Sequence, residues 1–221
     1  MRRRLFAILI CLILLSSYAT YPVKAESYET DTAENIGVDL MYWYCGTDDI
    51  GAWGPSNIDV YVGTNSQWSA LSTSNIRSYI STALQSWNVT GMSFSYVSNQ
   101  SSADLVIGGI TRDQATDIGI SPSALGITIP QMTLTELELY FGNQQKNYYQ
   151  INSCTIFLIE SQNNGTNFST TEFRKVAVHE IGHGLGYLGH YEAGNVMPSI
   201  FSNIVSTTPS QNEKNHLGQV Y

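Results

Sequence analysis

Three histidines and a glutamate stand close together in the last quarter of the chain. His179 and His183 are four residues apart, so on a helix both imidazoles project from one face and can bind one metal ion. Glu180 follows the first histidine directly, and His190 comes seven residues after the second. Zinc binds imidazole nitrogen readily, and a catalytic zinc site uses three protein ligands and leaves a position for water. The spacing therefore predicts a zinc site with three histidine ligands, beside which Glu180 can move protons.

An ordinary pair of helical histidines beside a glutamate is the alternative, because so short a pattern arises by chance. The use of histidine argues against it. The whole chain has only 4 histidines, and three of them lie in the twelve residues 179–190. We therefore expect a catalytic type of zinc site.

A helix must hold the first two histidines, and the sequence marks both of its ends. Ser169 and Glu172 have the spacing of a capping box, which predicts a helix start. Its buried side is predicted to consist of Phe173, Val176, Ala177, Ile181 and, as a further candidate, Val178. Gly186 can adopt the left-handed conformation that ends a helix and turns the chain back, which would bring His190 to the metal.

The sequence before this helix predicts a sheet backed by one helix. Apolar runs and alternating patterns indicate strands at 58–62, 92–96, 103–107, 125–130 and 151–159. Apolar residues at helical spacing indicate a helix at 73–88. Because Pro130 cannot donate to a ladder, the strand that it closes is predicted to be an edge strand, to which an extended peptide can add.

Residues 1–25 are predicted to be a signal peptide. The arginines at 2–4 precede an apolar run at 5–15, and residues 23–25 fit a small-residue cleavage site. The apolar run is short for a bilayer span. We therefore expect a secreted, extracellular protein with no membrane segment after removal of the signal.

The chain after the signal is long enough for one domain with a substantial core. We divide it into an N-terminal segment at 26–57 and a folded domain at 58–221, and expect a monomer. Removal of the signal would leave 6 of the 10 basic residues against 18 acidic ones, which changes the net charge from -8 to -12. An acidic surface repels phosphate backbones, so we expect no nucleic-acid partner.

Two cysteines lie outside the predicted signal, Cys45 and Cys154. An extracellular protein can form a disulfide between them, and a buried thiol at Cys154 is equally compatible with its place in a predicted strand. A third hypothesis is that the thiolate of Cys45 blocks the zinc in a latent form.

The histidine segment resembles the metzincin metallopeptidases, and its surroundings resemble the matrixin-type branch of that group over most of the chain. In that family two helical histidines and a third histidine bind zinc, a glutamate is general base and acid, and a glycine precedes the third ligand. The resemblance implies these roles for His179, His183 and His190, for Glu180 and for Gly186. A methionine turn lies beneath the metal in the family and is matched by 195–198, with Met197 as its methionine and not as a ligand.

The resemblance also implies a fold, an activity and partners. The fold is α+β and zincin-like, with a twisted five-stranded mixed sheet, a backing helix, an active-site helix and a small C-terminal subdomain that holds the methionine turn and a terminal helix. The implied activity, at 58–221, is zinc-dependent hydrolysis of peptide bonds in an extended protein or peptide. Substrate-binding candidates are Leu125, Gly126, Ile127, Pro198 and Ser199. One catalytic Zn²⁺ is expected, and the family commonly binds Ca²⁺ as well.

The chain departs from the family at the third ligand, because the usual spacing would place that histidine at position 189, which is Gly189. Tyr191 and Glu192 are the alternatives if His190 does not bind. A different class of site would take its third ligand from the terminal helix, at Glu213. The alternative function is an inactive, zinc-stabilised extracellular binding or adhesion module of the same fold. His216 is predicted to be a surface or packing residue.

Overall fold

The computed structural model describes residues 31–33, 38–40, 49–63, 73–89, 91–141, 144–159, 167–187, 189–191, 193–218 and 221. The strands are β1 Asp31–Ala33, β2 Val38–Leu40, β3 Asp49–Trp53, β4 Asn57–Gly63, β5 Ser93–Tyr96, β6 Leu105–Ile110, β7 Gly126–Phe141 and β8 Gln144–Ile159. The helices are α1 Thr73–Trp87, α2 Arg112–Asp117, α3 Thr170–Gly184 and α4 Gln211–Leu217, with 3₁₀ turns at Gln100–Ser102 and Phe201–Asn203.

Six strands form one mixed sheet around β8. On one side β7 pairs with β8 antiparallel, and on the other side β3 and β6 pair parallel with its first and second halves. Strand β4 continues the parallel sheet from β6, and β5 pairs with β4 at the far edge. The α+β mixed sheet predicted from the sequence is confirmed. Five strands were predicted, and the sixth is β3, which comes from the segment 26–57.

The core lies between this sheet and helices α1 and α3. The inward residues of the central strands alternate with half-buried ones, as in Ile58, Val60 and Val62 of β4, which explains why the period of two predicted these strands. Helix α1 buries the face that carries Ile76, Ile80, Leu84 and Trp87. The rings of Tyr79 and Phe173, with centroids 6.3 Å apart, join α1 to α3.

The edge strand is much longer than the sequence predicted. The pattern at 125–130 was interpreted as a short strand closed by Pro130, but β7 continues to Phe141 and β8 already begins at Gln144. Pro130 pairs in register with Cys154, and the register shifts after Gln131 and after Leu134, so bulges interrupt the long hairpin. Pro130 is tolerated because the N–H of its partner Cys154 donates to the carbonyl of Asp104, on the side away from β7, so no ladder bond needs a donor at Pro130.

Helix α2 was not predicted, although the sequence carries its start signal. The Thr111 hydroxyl accepts from the backbone N–H of Gln114, whose side-chain oxygen accepts from the N–H of Thr111. The guanidinium of Arg112 donates to the carbonyls of Pro122 and Ala124, which ties α2 to the loop that leads into β7. Helix α2 therefore helps to fix the loop that precedes β7.

The predicted signal peptide and Cys45 lie outside the described residues. None of the helices in the described part of the chain has the length and apolar character that crossing a bilayer requires.

Candidate metal centre

Helix α3 begins at the predicted capping box and carries two of the histidines. The Ser169 hydroxyl accepts from the N–H of Glu172, whose carboxylate accepts from the N–H of Ser169. The five apolar residues predicted for its buried side are all buried. With that face fixed against the core, His179 and His183 are held at the edge of a cavity.

Hydrogen bonds to the peptide backbone orient both imidazoles. His179 Nδ1 lies 2.7 Å from the carbonyl oxygen of Val196, and His183 Nδ1 lies 2.5 Å from that of Tyr187. A carbonyl only accepts, so each Nδ1 carries the proton and each Nε2 keeps its lone pair. The two Nε2 atoms are 3.1 Å apart, less than twice a Zn–N distance of about 2.0–2.1 Å, so both can reach one zinc ion.

The third histidine joins the first two. One ligand atom each from His179, His183 and His190 lies within 4.8 Å of the others. The His190 ring centroid is 5.3 Å from that of His179 and 5.0 Å from that of His183. Burial, reinforced by the positive charges that the other two histidines can carry, holds the pKa of His183 well below its usual range, which keeps it neutral. Three imidazoles are one of the donor sets of catalytic zinc sites, so these residues fit the metal.

The turn after α3 brings His190 back. Gly186 has φ +105°, as the sequence predicted for the residue that ends this helix, and its N–H donates to the carbonyl of His183. A Cβ on Gly186 would also collide with the carbonyl oxygen of Gly51 in β3. Only glycine satisfies both conditions, and β3 therefore supports the loop that delivers His190.

Two aromatic residues bind the carbonyls that the end of α3 leaves free. The indole of Trp53 donates to the Gly184 carbonyl at 2.9 Å, and the Tyr221 hydroxyl donates to the Leu185 carbonyl at 2.5 Å. That hydroxyl also accepts from the backbone N–H of Trp53 at 3.2 Å. Neither hydrogen-bonding role at the helix end was predicted from the sequence.

The turn that contains Met197 lies beneath the histidines. Met197 is fully buried, and a Cβ on Gly182 would lie 2.7 Å from its sulfur. The carbonyl of Met197 accepts from the N–H of Tyr191, next to His190. The turn therefore contacts both the histidine helix and the loop of the third histidine.

Both carboxylate oxygens of Glu213 accept hydrogen bonds from backbone N–H groups, so the hypothesis that Glu213 is the third metal ligand is wrong. Its Oε1 accepts from the N–H groups of Val196 and Met197 at 2.9 and 2.8 Å, and its Oε2 accepts from the N–H of Ser210. The peptide between Val196 and Met197 thus binds Glu213 through its N–H and His179 through its carbonyl. Glu213 fixes the position of a possible ligand from outside the metal centre.

Glu180 lies beside the histidines, with its carboxylate buried against β7. Thr128 donates to Glu180 Oε2 at 2.7 Å, and a Cβ on Gly126 would lie 2.6 Å from Glu180 Cγ. Burial raises the pKa of Glu180 to about 7, against the lowering effect of the Thr128 hydrogen bond. A carboxyl of that pKa can both take and give a proton near neutral pH.

A cavity of about 430 Å³ opens over the three histidines and Glu180. Its walls are β7 with the loop before it, and the segment after Met197. All five residues predicted to bind substrate line it, namely Leu125, Gly126, Ile127, Pro198 and Ser199, and so do Val176, Phe201 and Ile204. The side of the cavity between α3 and the segment after Met197 is therefore mainly apolar.

Cys154 is a free, buried thiol on β8. Burial, with a further contribution from the nearby charge of Glu180, raises the pKa of its thiol, so it stays protonated. Of the two hypotheses for this residue, the buried thiol is confirmed. The hypothesis that Cys45 blocks the zinc stays a prediction.

His216, on α4, is a packing residue. It is buried with its ring centroid 4.5 Å from that of Tyr187, the residue whose carbonyl binds His183. Burial lowers the pKa of His216 from 6.5 to about 3. The unfolded chain therefore binds a proton between these two pKa values that the folded chain does not, and the contribution of His216 to stability is present above pH 6.5 and lost as the pH falls.

Replacement of His216 by phenylalanine is expected to reduce the acid sensitivity of the fold, because a ring remains against Tyr187 but cannot bind a proton. Between about pH 7 and pH 5 the parent should lose about 2 kcal/mol more of its free energy of unfolding than His216→Phe. Urea unfolding of both proteins at the two pH values measures this. The parent and His216→Phe contain the same possible metal ligands, so the titration of those ligands cancels in the comparison. Equal losses of unfolding free energy in the two proteins would contradict the buried, neutral state of His216.

The fold and the site together define a class of protein. The framework is that of a metzincin-type metallopeptidase. It consists of a mixed sheet with an antiparallel edge strand, two histidines on one helix turn, and a third histidine after a glycine turn. A family model described as matrixin matches residues 52–221. The chain therefore belongs to the matrixin family of zinc metallopeptidases, which confirms the resemblance noted in the sequence. No curated protein matches the chain.

Proposed function

We propose that this protein is a secreted zinc endopeptidase that hydrolyses peptide bonds in extended protein substrates. The observation that carries the proposal is the convergence of three imidazoles at a cavity that also contains a buried glutamate and borders an edge strand. Nε2 lone pairs would hold one zinc ion in this site, and Glu180 is the acid–base group beside it.

When bound, zinc supplies Lewis acidity that lowers the pKa of water and polarises a peptide carbonyl. Glu180 takes a proton from the attacking water and delivers it to the leaving amine. Burial raises the pKa of Glu180, which makes its carboxylate a stronger base towards the attacking water. The backbone contacts of His179 and His183 hold each ring in the tautomer that leaves Nε2 available.

The substrate would bind as an extra strand along β7. In the described part of the chain β7 pairs with β8 on one side only, so the backbone groups that Gly126 turns away from β8 can bind an extended peptide. The carbonyl of Leu125 accepts from the N–H of Ile159 in β8, and Leu125 and Ile127 line the cavity beside the bound peptide. This arrangement would place the scissile bond over Glu180. The apolar wall between Val176 and Ile204 would favour an apolar side chain next to that bond, with Pro198 and Ser199 at its entrance.

Export, a monomeric state and one catalytic zinc are parts of the same proposal. The charge pattern of residues 1–25 supports export. Calcium binding stays a prediction without assigned ligands.

Removal of zinc is expected to abolish cleavage. The zinc-loaded protein should cut casein, 1,10-phenanthroline should stop the reaction, and about one equivalent of added zinc should restore it because all three ligands belong to this chain. Metal content by atomic absorption and casein fragments on gels measure the two effects.

Two results would contradict the proposal in different ways. Cleavage that survives complete removal of the metal would exclude a zinc mechanism. A protein that holds one zinc but cuts neither casein nor a mixed peptide library would favour the inactive binding module.

A further inference from the structure

Thr128 makes the closest polar contact with Glu180. Its hydroxyl lies 2.7 Å from Glu180 Oε2 and 2.9 Å from the main-chain oxygen of the same residue. Thr128 belongs to β7 and Glu180 to α3, 52 residues later, so this contact joins the edge strand to the helix of the metal centre.

The contact separates the two oxygens of the carboxylate. A hydroxyl has one proton to donate, and an ionised carboxylate is the stronger of the two acceptors within its reach. The Thr128 hydroxyl binds the carboxylate through Oε2. Oε1 lies beside Gly126, close to where a Cβ of that residue would be, and both Gly126 and Glu180 line the cavity. Oε2 is therefore held, and Oε1 is left for an exchangeable proton.

Steric contact with β7 also restrains the side chain of Glu180. The side chain of Glu180 is pressed against Gly126, where any Cβ would overlap its carboxyl group, and is bonded two residues further along β7. One strand thus limits both the position and the rotation of the carboxylate.

We propose that Thr128 is a positioning residue, whose hydroxyl holds Oε2 of Glu180 so that Oε1 faces the water to be deprotonated. This inference rests on the proposed peptidase function. Because Thr128 acts through Glu180, its loss changes the rate of the chemical step and leaves the binding of the peptide unchanged.

Thr128→Val tests the hydroxyl alone. Valine has nearly the shape of threonine and is favoured in strands, so β7 should stay intact. We expect kcat for a fluorogenic peptide to fall by about 10- to 100-fold, as for one lost hydrogen bond to a charged group, with KM and zinc content unchanged. Thr128→Ser keeps the hydroxyl and should restore kcat to within a few-fold of the parent.

Crystal structures of the parent and of both variants supply a readout that does not depend on activity. The Glu180 carboxylate should be displaced in Thr128→Val and retained in Thr128→Ser. An undisplaced carboxylate in Thr128→Val would overturn the inference, as would equal kcat values for the valine and serine variants or a loss confined to KM.

Failure of the proposed function gives a different pattern. If the zinc-loaded parent cuts no peptide, the peptidase proposal fails, and the crystal structures alone decide whether Thr128 positions Glu180. If the parent cuts and Thr128→Val cuts equally fast, the peptidase proposal stands and the role of Thr128 is overturned.

Discussion

Glu180→Gln is expected to lower kcat/KM for peptide cleavage by about 10²- to 10⁴-fold, the usual contribution of a general base, while the protein keeps its zinc. Glutamine fills the same space against Gly126 and can still bind the Thr128 hydroxyl through its oxygen. It cannot take a proton from water. The three histidines are untouched, so metal content should equal that of the parent.

A matched control lies on the same helix. Glu172→Gln makes the same chemical change at the other end of α3, where glutamine can still complete the capping box with Ser169. This variant should cut at the rate of the parent. If Glu180→Gln cuts equally well, Glu180 is not the base, and if it loses zinc, the carboxylate has a structural role that the geometry does not indicate.

Local signals in the sequence predicted the elements that hold the site. The capping box at Ser169 and the buried alternation around Ile58 are short-range patterns that depend on neighbours only, and both are confirmed. The matching capping box at Thr111 was equally readable and was missed. The long hairpin also had a signal, since Gly142-Asn143 is a pair typical of two-residue hairpin turns and follows the alternating residues Leu137, Leu139 and Phe141. Gly142 and Asn143 themselves lie outside the described residues.

Contacts between distant segments could not be predicted in the same way. The carboxylate of Glu213 binds the N–H of Val196, 17 residues away, and Thr128 reaches Glu180 across 52 residues. Such pairs follow from how the sheet, the helix and the terminal segment pack. A sequence pattern indicates which side chains can do chemistry, and only the packing of the folded chain shows the hydrogen-bond partner of each side chain.

The loop of the third histidine shows how packing resolves a departure from the family pattern. The extra residue before His190 would misplace a ligand on an unsupported loop. Here Gly186 packs closely against the carbonyl of Gly51, and the N–H of Tyr191 donates to the carbonyl of Met197. The loop is therefore held both before and after His190. The longer connection therefore still ends with His190 beside the other two histidines.

His190→Ala is expected to weaken zinc binding by more than the roughly 10- to 100-fold that changes outside the ligand set usually cause, because one of three ligand atoms is lost. Cleavage should fall with the zinc content. Competition with a fluorescent chelator measures the affinity, and circular dichroism shows whether the fold survives, which it should, since His190 is only half-buried.

Tyr191→Phe is the control, because Tyr191 was the alternative ligand and stands next to His190. Phenylalanine keeps the packing of this half-buried ring and removes only the hydroxyl, so zinc affinity should match that of the parent. The two variants together identify the ligand. If His190→Ala binds zinc normally and Tyr191→Phe does not, the longer loop delivers the phenolic oxygen instead, and the stacking of His190 on His179 is packing without a metal role.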